Sequence, residues 1–406
     1  MIKLLILGIR MDRGGTERAL ISFLQGLDPT VFQVDLLLAQ QEGPLLPSIP
    51  AHVRLLPPMK NGILFTMSRR NAASVFRKLA FHGKRSFLIR HTALLSAIMR
   101  REVGASDRFF IALMKEACQL FSEEYHEESY DAALAFSGDR TMFYLCDRVC
   151  CQKKIAWLHF DYRYPERDDK LYGSYFQRCH VVLSVSDRCT VLLRHRFPTI
   201  ANRFDTFYNR LPRREILTLS EVAYTDPDPS FAGYRLLSVM RICHQKGVDR
   251  IPPVLKRLKL AGISVKWYLA GDGSRKELNA LRRAATRYGV ENDLVILGGI
   301  ENPYPLMKTC DLFVLPTRYE GMPITVEEAK LLGVPILCTS YLSAKEQLQN
   351  GFLGAICHGS VSSIASAIVT LLLREDLRRN FRKRLADYPW PERNITHELQ
   401  YLLAYC

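Results

Sequence analysis

The residues whose types and spacing could do chemistry are Glu320 and Glu328, in the stretch Arg318-Tyr-Glu-Gly-Met-Pro-Ile-Thr-Val-Glu-Glu-Ala-Lys-Leu-Leu-Gly333. The apolar run Asp311 to Leu315 before them predicts a buried strand. Glu320 falls in the loop that follows, Pro323 opens a helix, and Gly333 stops it before Pro335. At about 100° per residue, Glu328 lies in the apolar arc between Ile324 and Leu332. A carboxylate there is costly unless it is hydrogen-bonded. Glu327 falls outside that arc with Lys330 three residues on, which predicts a surface pair. A loop at the carboxyl end of a strand and the helix beside it face the crevice where open α/β sheets bind ligands. A capping carboxylate and a partly buried helix acid are the structural alternative for the same two residues.

Cations stand at the matching place after the first strand of the same half of the chain. Arg241 and Lys246 follow the apolar run Arg235 to Val239. Arginine offers a planar fork and lysine a point charge, a combination suited to a diphosphate. Gly14-Gly15 precedes a helical pattern and fits either exposed backbone amides at a helix N-terminus or a plain tight turn. The only Asp-x-Asp, Asp226 to Asp228, has proline on both sides of its second acid and reads as a turn, not a metal site. The 11 cysteines have no metal spacing, so no metal ligands are assigned, and a reduced compartment fits them best.

The elements that must position these groups follow from hydrophobic periodicity. Lys3 to Leu7, Val31 to Leu38, Asp131 to Phe136, Lys154 to Leu158 and Val181 to Val185 read as strands separated by helical stretches. Residues 213–233 are polar and turn-rich and read as a linker. The alternation restarts with strands at Arg235 to Val239, Val265 to Ala270, Leu294 to Leu297, Asp311 to Leu315 and Pro335 to Thr339. Helices are expected near Val248 to Ala261, Ser274 to Tyr288, Pro323 to Leu332 and Ser363 to Leu373, with a last one from Trp390 to Leu403. Strands alternating with helices predict parallel sheets, here two Rossmann-like halves.

With 406 residues, 48% apolar and 24% charged, the chain reads as a globular protein of two domains, neither disordered nor fibrous. No apolar run reaches the ~18 residues that span a bilayer, and Met1 to Leu7 reads as a first strand, not a leader. The net charge of +15 is unevenly placed. Between Glu42 and Glu102 there is no acid, but there are 11 basic residues, among them Lys60, Arg69, Arg70, Arg77, Lys78, Lys84 and Arg85. Phe65, Phe76, Phe81 and Phe87 are interleaved with them. Basic amphipathic segments suit an anionic membrane surface. A nucleic acid is the competing anion, but the phenylalanines follow no single-strand-binding module. A solvated basic face is the third option.

The pattern Glu-Gly-x-Pro-x-x-x-x-Glu-Ala from Glu320 to Ala329 resembles the signature of the family 4 glycosyltransferases, retaining enzymes of the GT-B fold. Ser238-Val-Met-Arg241 with Lys246-Gly247 resembles that family's donor-phosphate clamp, with Met240 where the family often has glycine. Ala270-Gly-Asp-Gly-Ser274, Gly14-Gly15-Thr-Glu-Arg18 and Trp157-Leu-His159 resemble further landmarks in the same order. The resemblance implies an α/β protein of two Rossmann-like domains facing across a cleft. Residues 1–212 would bind the acceptor, 213–233 link, 234–387 bind the nucleotide-sugar donor, and 388–406 return as a helix to the first domain. It further implies that Arg241 and Lys246 hold the diphosphate and Glu328 the ribose hydroxyls. Backbone near Leu297 and Gly298 would read the base. Glu320, with Gly321 and Met322 beside it, would meet the donor sugar, and Gly14 and Gly15 would face the donor. His159 is the implied active-site histidine, with Asp161 as a weaker companion; Asn209 reads as structural, and no side chain is assigned as nucleophile.

The expected activity is hexosyl transfer from a UDP- or GDP-sugar, without metal or other cofactor, to a hydroxyl of a lipid-linked glycan in bacterial surface polysaccharide assembly. The expected place is the cytoplasm, peripheral on the inner face of the membrane, with Arg69, Arg70, Arg77, Lys78, Lys84 and Arg85 at the lipid or acceptor and no nucleic-acid partner. Transfer to a soluble sugar phosphate, or non-catalytic binding of lipid or nucleic acid, are the alternatives.

Overall fold

The structure, a computed structural model, describes residues 1–59, 62–66, 92–120, 130–223 and 228–405. The chain divides into two compact units. One comprises Met1–Asp12, Thr16–Tyr208 and Arg393–Cys406; the other comprises Arg13–Gly15 and Asn209–Glu392.

The first unit is built on seven strands: β1 (Ile2–Gly8), β2 (Phe32–Leu38), β3 (Arg54–Leu55), β4 (Tyr130–Ala135), β5 (Cys151–Leu158), β6 (Val181–Ser184) and β7 (Phe204–Thr206). They pair in parallel in the order β3-β2-β1-β4-β5-β6-β7. Continuous apolar runs such as Leu4 to Leu7 are buried on both faces, as a sheet covered by helices on each side requires. Helix Gly15–Gln25 packs Phe23 edge-on to Trp157 of β5, with ring centroids 5.3 Å apart. The last helix, Ile395–Tyr405, belongs to this unit. Thr396 Oγ1 accepts from the Asp28 amide at 2.8 Å and donates to Gly26 O at 3.1 Å. That helix starts five residues later than the pattern suggested, because Asn394 Oδ1 accepts the His397 amide (3.0 Å) as an N-terminal cap.

The second unit carries β8 (Tyr234–Val239), β9 (Val265–Ala270), β10 (Leu294–Gly298), β11 (Leu312–Leu315), β12 (Ile336–Thr339) and β13 (Ala355–Cys357). They too are parallel, in the order β10-β9-β8-β11-β12-β13. Helix Arg275–Tyr288 begins in a reciprocal Ser274–Glu277 capping box and ends at Gly289 in the left-handed region. The stretch read as a linker is in part regular. Residues Arg213–Ser220 form a helix that buries Ile216 and Ser220 and receives Asn302 Nδ2 on Leu219 O at 2.8 Å. The turn chemistry that suggested a linker resides farther on, at Asp226 to Pro229.

Phe65, expected at a lipid surface, is instead a core residue. Its ring packs edge-on against Phe110 and Tyr144, at 5.1 and 5.7 Å. Phe76, Phe81, Phe87, Lys60 and the six basic residues Arg69, Arg70, Arg77, Lys78, Lys84 and Arg85 lie outside the described residues, as does Asp226. Among the described residues, no helix is long and apolar enough to cross a membrane.

Candidate functional site

In the second sheet, strand order reverses between β8 and β11. The loops leaving the carboxyl ends of two such strands diverge to opposite faces and open a crevice between them. The β8 loop carries Arg241 and Lys246, and the β11 loop carries Glu320. Their approach is fixed by backbone. The Ile242 amide donates to Asp272 O (2.7 Å), which ties the β8 loop to the β9 loop, and the Arg318 amide donates to Gln245 O (2.8 Å), which ties it to the β11 loop. Gly247 adopts φ +72°, and a Cβ there would stand 2.1 Å from Pro316 O, so the Lys246-Gly247 pair needs its glycine for close approach as well as for conformation. Met240, the departure from the family pattern, turns its side chain into the core of the unit.

The side chains then interlock. Lys246 Nζ donates to Glu320 Oε1 at 2.5 Å, and Thr317 Oγ1 donates to the same oxygen at 2.9 Å. Glu320 is 7% exposed. Gln245 Nε2 donates to Tyr319 O (3.1 Å), while its Oε1 lies 3.5 Å from Nη2 of the exposed Arg241. Arg318 forks onto Asp249 with two contacts of 2.7 Å. Burial pushes the Asp249 carboxyl up, but the Arg318 bond and charge outweigh it and hold the group below its usual range. Gly321 O accepts from Ser343 Oγ at 2.5 Å, and half-buried Met322 precedes Pro323, the residue that flanks helix Ile324–Leu331.

Glu328 lies on that helix, 2% exposed, and accepts a hydrogen bond from Tyr304 Oη at 3.0 Å. Tyr304 opens the short helix after β10, so the carboxylate is held between the elements that follow β10 and β11. Leu297 is half-buried at the end of β10, and Gly298 (φ +73°) accepts the Gly271 amide at 2.7 Å. The Glu327–Lys330 pair differs from expectation. Lys330 is 3% exposed, its Nζ is 3.0 Å from Glu327 Oε2, and it lies over the rings of Tyr388 and Trp390 at 4.7 and 5.3 Å. The chain from Tyr388 to Trp390 covers this face of the helix, a tertiary contact that helix periodicity does not register.

In the first unit the strand order reverses between β1 and β4. His159 follows β5; its ring stacks on Phe136, which follows β4, at 4.3 Å, and its Nδ1 is 3.2 Å from Trp157 O. Asp161 is buried and is held by Arg163 through its backbone amide and its guanidinium, with a shortest contact of 2.7 Å. That engagement fixes the loop after β5. Gly15 opens helix Gly15–Gln25, following Gly14, and a Cβ on it would meet nothing within 4 Å. A buried cluster went unread in the sequence. Tyr172 Oη donates to Asp139, Asp107 Oδ1 is 3.8 Å from Arg140 Nε, and the Asp107 carboxyl is pushed up to about 6, by burial first and the Asp139 charge second.

The structure therefore brings Arg241, Lys246 and Glu320 together and places Glu328 one helix away, with Gln245, Thr317 and Tyr304 as their holders. Gln245 and Thr317 could have been suspected from adjacency to Lys246 and Glu320, whereas nothing local marks Tyr304. Of the Asp-x-Asp pair, Asp228 is described, and it forms an ion pair with Lys266.

Comparison with known proteins places the chain among similar sequences and folds. Residues 232–387 match the family model "Glycosyl transferases group 1". The capsular polysaccharide biosynthesis glycosyltransferase CapM of Staphylococcus aureus is 29% identical over 155 residues, which is 37% of this chain and 40% of CapM. A Campylobacter jejuni N,N'-diacetylbacillosaminyl-diphospho-undecaprenol alpha-1,3-N-acetylgalactosaminyltransferase is 33% identical over 92 residues, 22% of this chain and 24% of that protein. The chain thus spans less than half the length of either relative. Anabaena Alr3699/HepE in complex with UDP-glucose superposes with a TM-score of 0.68 at 16% identity, covering 100% of both chains. The chain carries a glycosyl transferases group 1 domain at residues 232–387, and its two parallel sheets have the GT-B fold.

Proposed function

We propose that the chain is a retaining, metal-independent glycosyltransferase that moves a hexose from a UDP- or GDP-sugar to a hydroxyl of a lipid-linked glycan in bacterial surface polysaccharide assembly. One observation carries the reading: Lys246 and the buried Glu320 pair at the switch point of the second sheet with Arg241 on the same loop, and the buried Glu328 lies on the helix that follows, at the kind of crevice where open α/β sheets bind ligands. Arg241 and Lys246 stabilise the charge that develops on the departing diphosphate, the role a divalent metal plays in other transferases. Glu328, buried and oriented by Tyr304, accepts hydrogen bonds from the ribose hydroxyls. Glu320 meets the hydroxyls of the transferred sugar, the base rests near Leu297 and Gly298, and Gly14 and Gly15 offer backbone amides to the donor. His159, whose ring stacks on Phe136, is assigned as the active-site histidine on the acceptor side.

The acceptor's lipid carrier is inferred from the acid-free basic stretch between Glu42 and Glu102, which we assign to the anionic inner face of the cytoplasmic membrane. The diphospho-undecaprenol in the name of the Campylobacter relative supports an acceptor of that kind. Thermal unfolding with UDP, GDP, ADP and CMP tests the reading at its base. A ligand at ~100 times its dissociation constant stabilises by ~2.7 kcal/mol. One uridine or guanosine diphosphate should raise the melting temperature, and no shift with any nucleotide would refute the assignment.

A further inference from the structure

Lys246 and Glu320 are assigned to different parts of the donor, yet in this structure they hold each other. The ammonium lies 2.5 Å from Glu320 Oε1, and the same oxygen takes the Thr317 hydroxyl at 2.9 Å. Both side chains are largely shielded, 15% and 8% exposed. At that depth an ion pair is screened little by salt, and separating its members leaves a charge in search of a partner. A diphosphate that recruits Lys246 therefore competes with Glu320 for it.

We infer that Glu320 is an internal competitor for the diphosphate, and that the Lys246 contact is handed over when the donor sugar takes Glu320. The inference rests on the donor-site reading above and adds a consequence to it. An intact nucleotide sugar compensates both members: the diphosphate oxygens accept from Lys246, while sugar hydroxyls donate to Glu320. A bare nucleoside diphosphate compensates only Lys246 and strips Glu320 of its counter-ion. After transfer the sugar leaves with the acceptor, and the freed carboxylate reclaims Lys246 and helps expel the product. No bond is made or broken in this exchange; hydrogen-bond partners change. The site thereby prefers substrate to spent product through one shared contact. Thr317 is a positioning residue here, since its hydroxyl steers Glu320 toward Lys246.

The test measures binding of UDP, GDP, UDP-glucose and GDP-mannose to the full chain by calorimetry, for wild type, Glu320→Gln, Thr317→Val, and Glu320→Gln combined with Lys246→Met. Loss of a charge-assisted competitor should tighten the accepted nucleoside diphosphate about tenfold in Glu320→Gln. Thr317→Val should tighten it by a smaller factor, and adding Lys246→Met should erase the gain. The ratio of sugar-nucleotide to diphosphate affinity should fall in Glu320→Gln. Its melting temperature should drop without nucleotide and recover with it, because the diphosphate replaces the missing counter-ion. If Glu320→Gln is too unstable to handle, Thr317→Val decides the matter. Unchanged or weaker diphosphate binding in these variants overturns the competitor role and leaves the donor site standing. No binding by wild type or any variant overturns both.

Discussion

Replacing Glu328 by glutamine probes the donor site with little change of shape. The wild-type carboxylate is 2% exposed and is aligned by Tyr304 Oη at 3.0 Å. Glutamine keeps the length and one carbonyl oxygen for Tyr304, but it removes the charge and turns one acceptor into a donor. A hydrogen bond to a charged acceptor contributes about 1.5–3 kcal/mol, so losing the charged acceptor should weaken nucleotide binding by roughly 10- to 150-fold. Tyr304→Phe leaves the charge and removes only its aligning bond, at about 1 kcal/mol, and should weaken binding about fivefold. Calorimetric titration of the accepted nucleoside diphosphate reads both. The 2'-deoxy nucleotide supplies the control, because it lacks a hydroxyl for Glu328 to accept. Wild type should bind it more weakly than the ribonucleotide, and Glu328→Gln should lose less on it, since only the 3'-hydroxyl remains to donate. If Glu328→Gln loses as much affinity for the deoxy nucleotide as for the ribonucleotide, the carboxylate does not read the ribose. If it loses none for either, Glu328 is a helix acid satisfied by Tyr304 and nothing more.

Arg241→Ala should lower the transfer rate by about 10²-fold or more, as for other preorganised charge stabilisers, and transfer by wild type should survive EDTA. Activity lost in EDTA and restored by Mg²⁺ or Mn²⁺ would contradict the metal-independent mechanism. Asp107, raised to about 6 in the fold, holds its proton at pH values where the unfolded chain has lost it, so its stabilising contribution is complete below about pH 4 and disappears as pH rises through about 6. The stability of Asp107→Asn relative to wild type should therefore improve between pH 4 and 7, by on the order of 3 kcal/mol at most, in urea unfolding; a constant difference would remove Asp107 as the titrating group. Charge reversal at Arg69, Arg70, Lys84 and Arg85 should abolish sedimentation with anionic vesicles and leave nucleotide binding intact, and 1 M salt, with its Debye length of ~3 Å, should release the wild type. Equal binding to neutral and anionic vesicles would defeat the membrane proposal.

Much of this site was legible because its groups sit at the ends of strongly patterned elements. The apolar run ending at Leu315, the helix from Ile324 and the stop at Gly333 give a strand, a loop and a helix whatever lies around them, and Glu320 and Glu328 take their places from that frame. Arg241 and Lys246 are read in the same way from β8. The short strands β3, β7 and β13, of 2 or 3 residues each, left no such trace, because so few residues set up no period. Helix Arg213–Ser220 was hidden by its polar face, since only Ile216 and Ser220 meet the unit's interior.

What the sequence determined by itself was composition and local order: two runs of strand-helix alternation, the charges at strand ends, and an uneven spread of basic residues. Which side chains meet was settled by the tertiary structure alone. Glu320 and Lys246 are 74 residues apart and touch only because sheet order places β8 beside β11. Tyr304 reaches Glu328 across 24 residues, and Asp107 gains its raised proton affinity first from burial and second from the charge of Asp139 on another segment. Phe65 became core, and Lys330 became a buried cation under Tyr388 and Trp390, through neighbours distant in the chain. The physical reason is common to all of them. Periodicity reports how a residue faces its own element, whereas burial, pairing and pKa depend on what another element brings to that face.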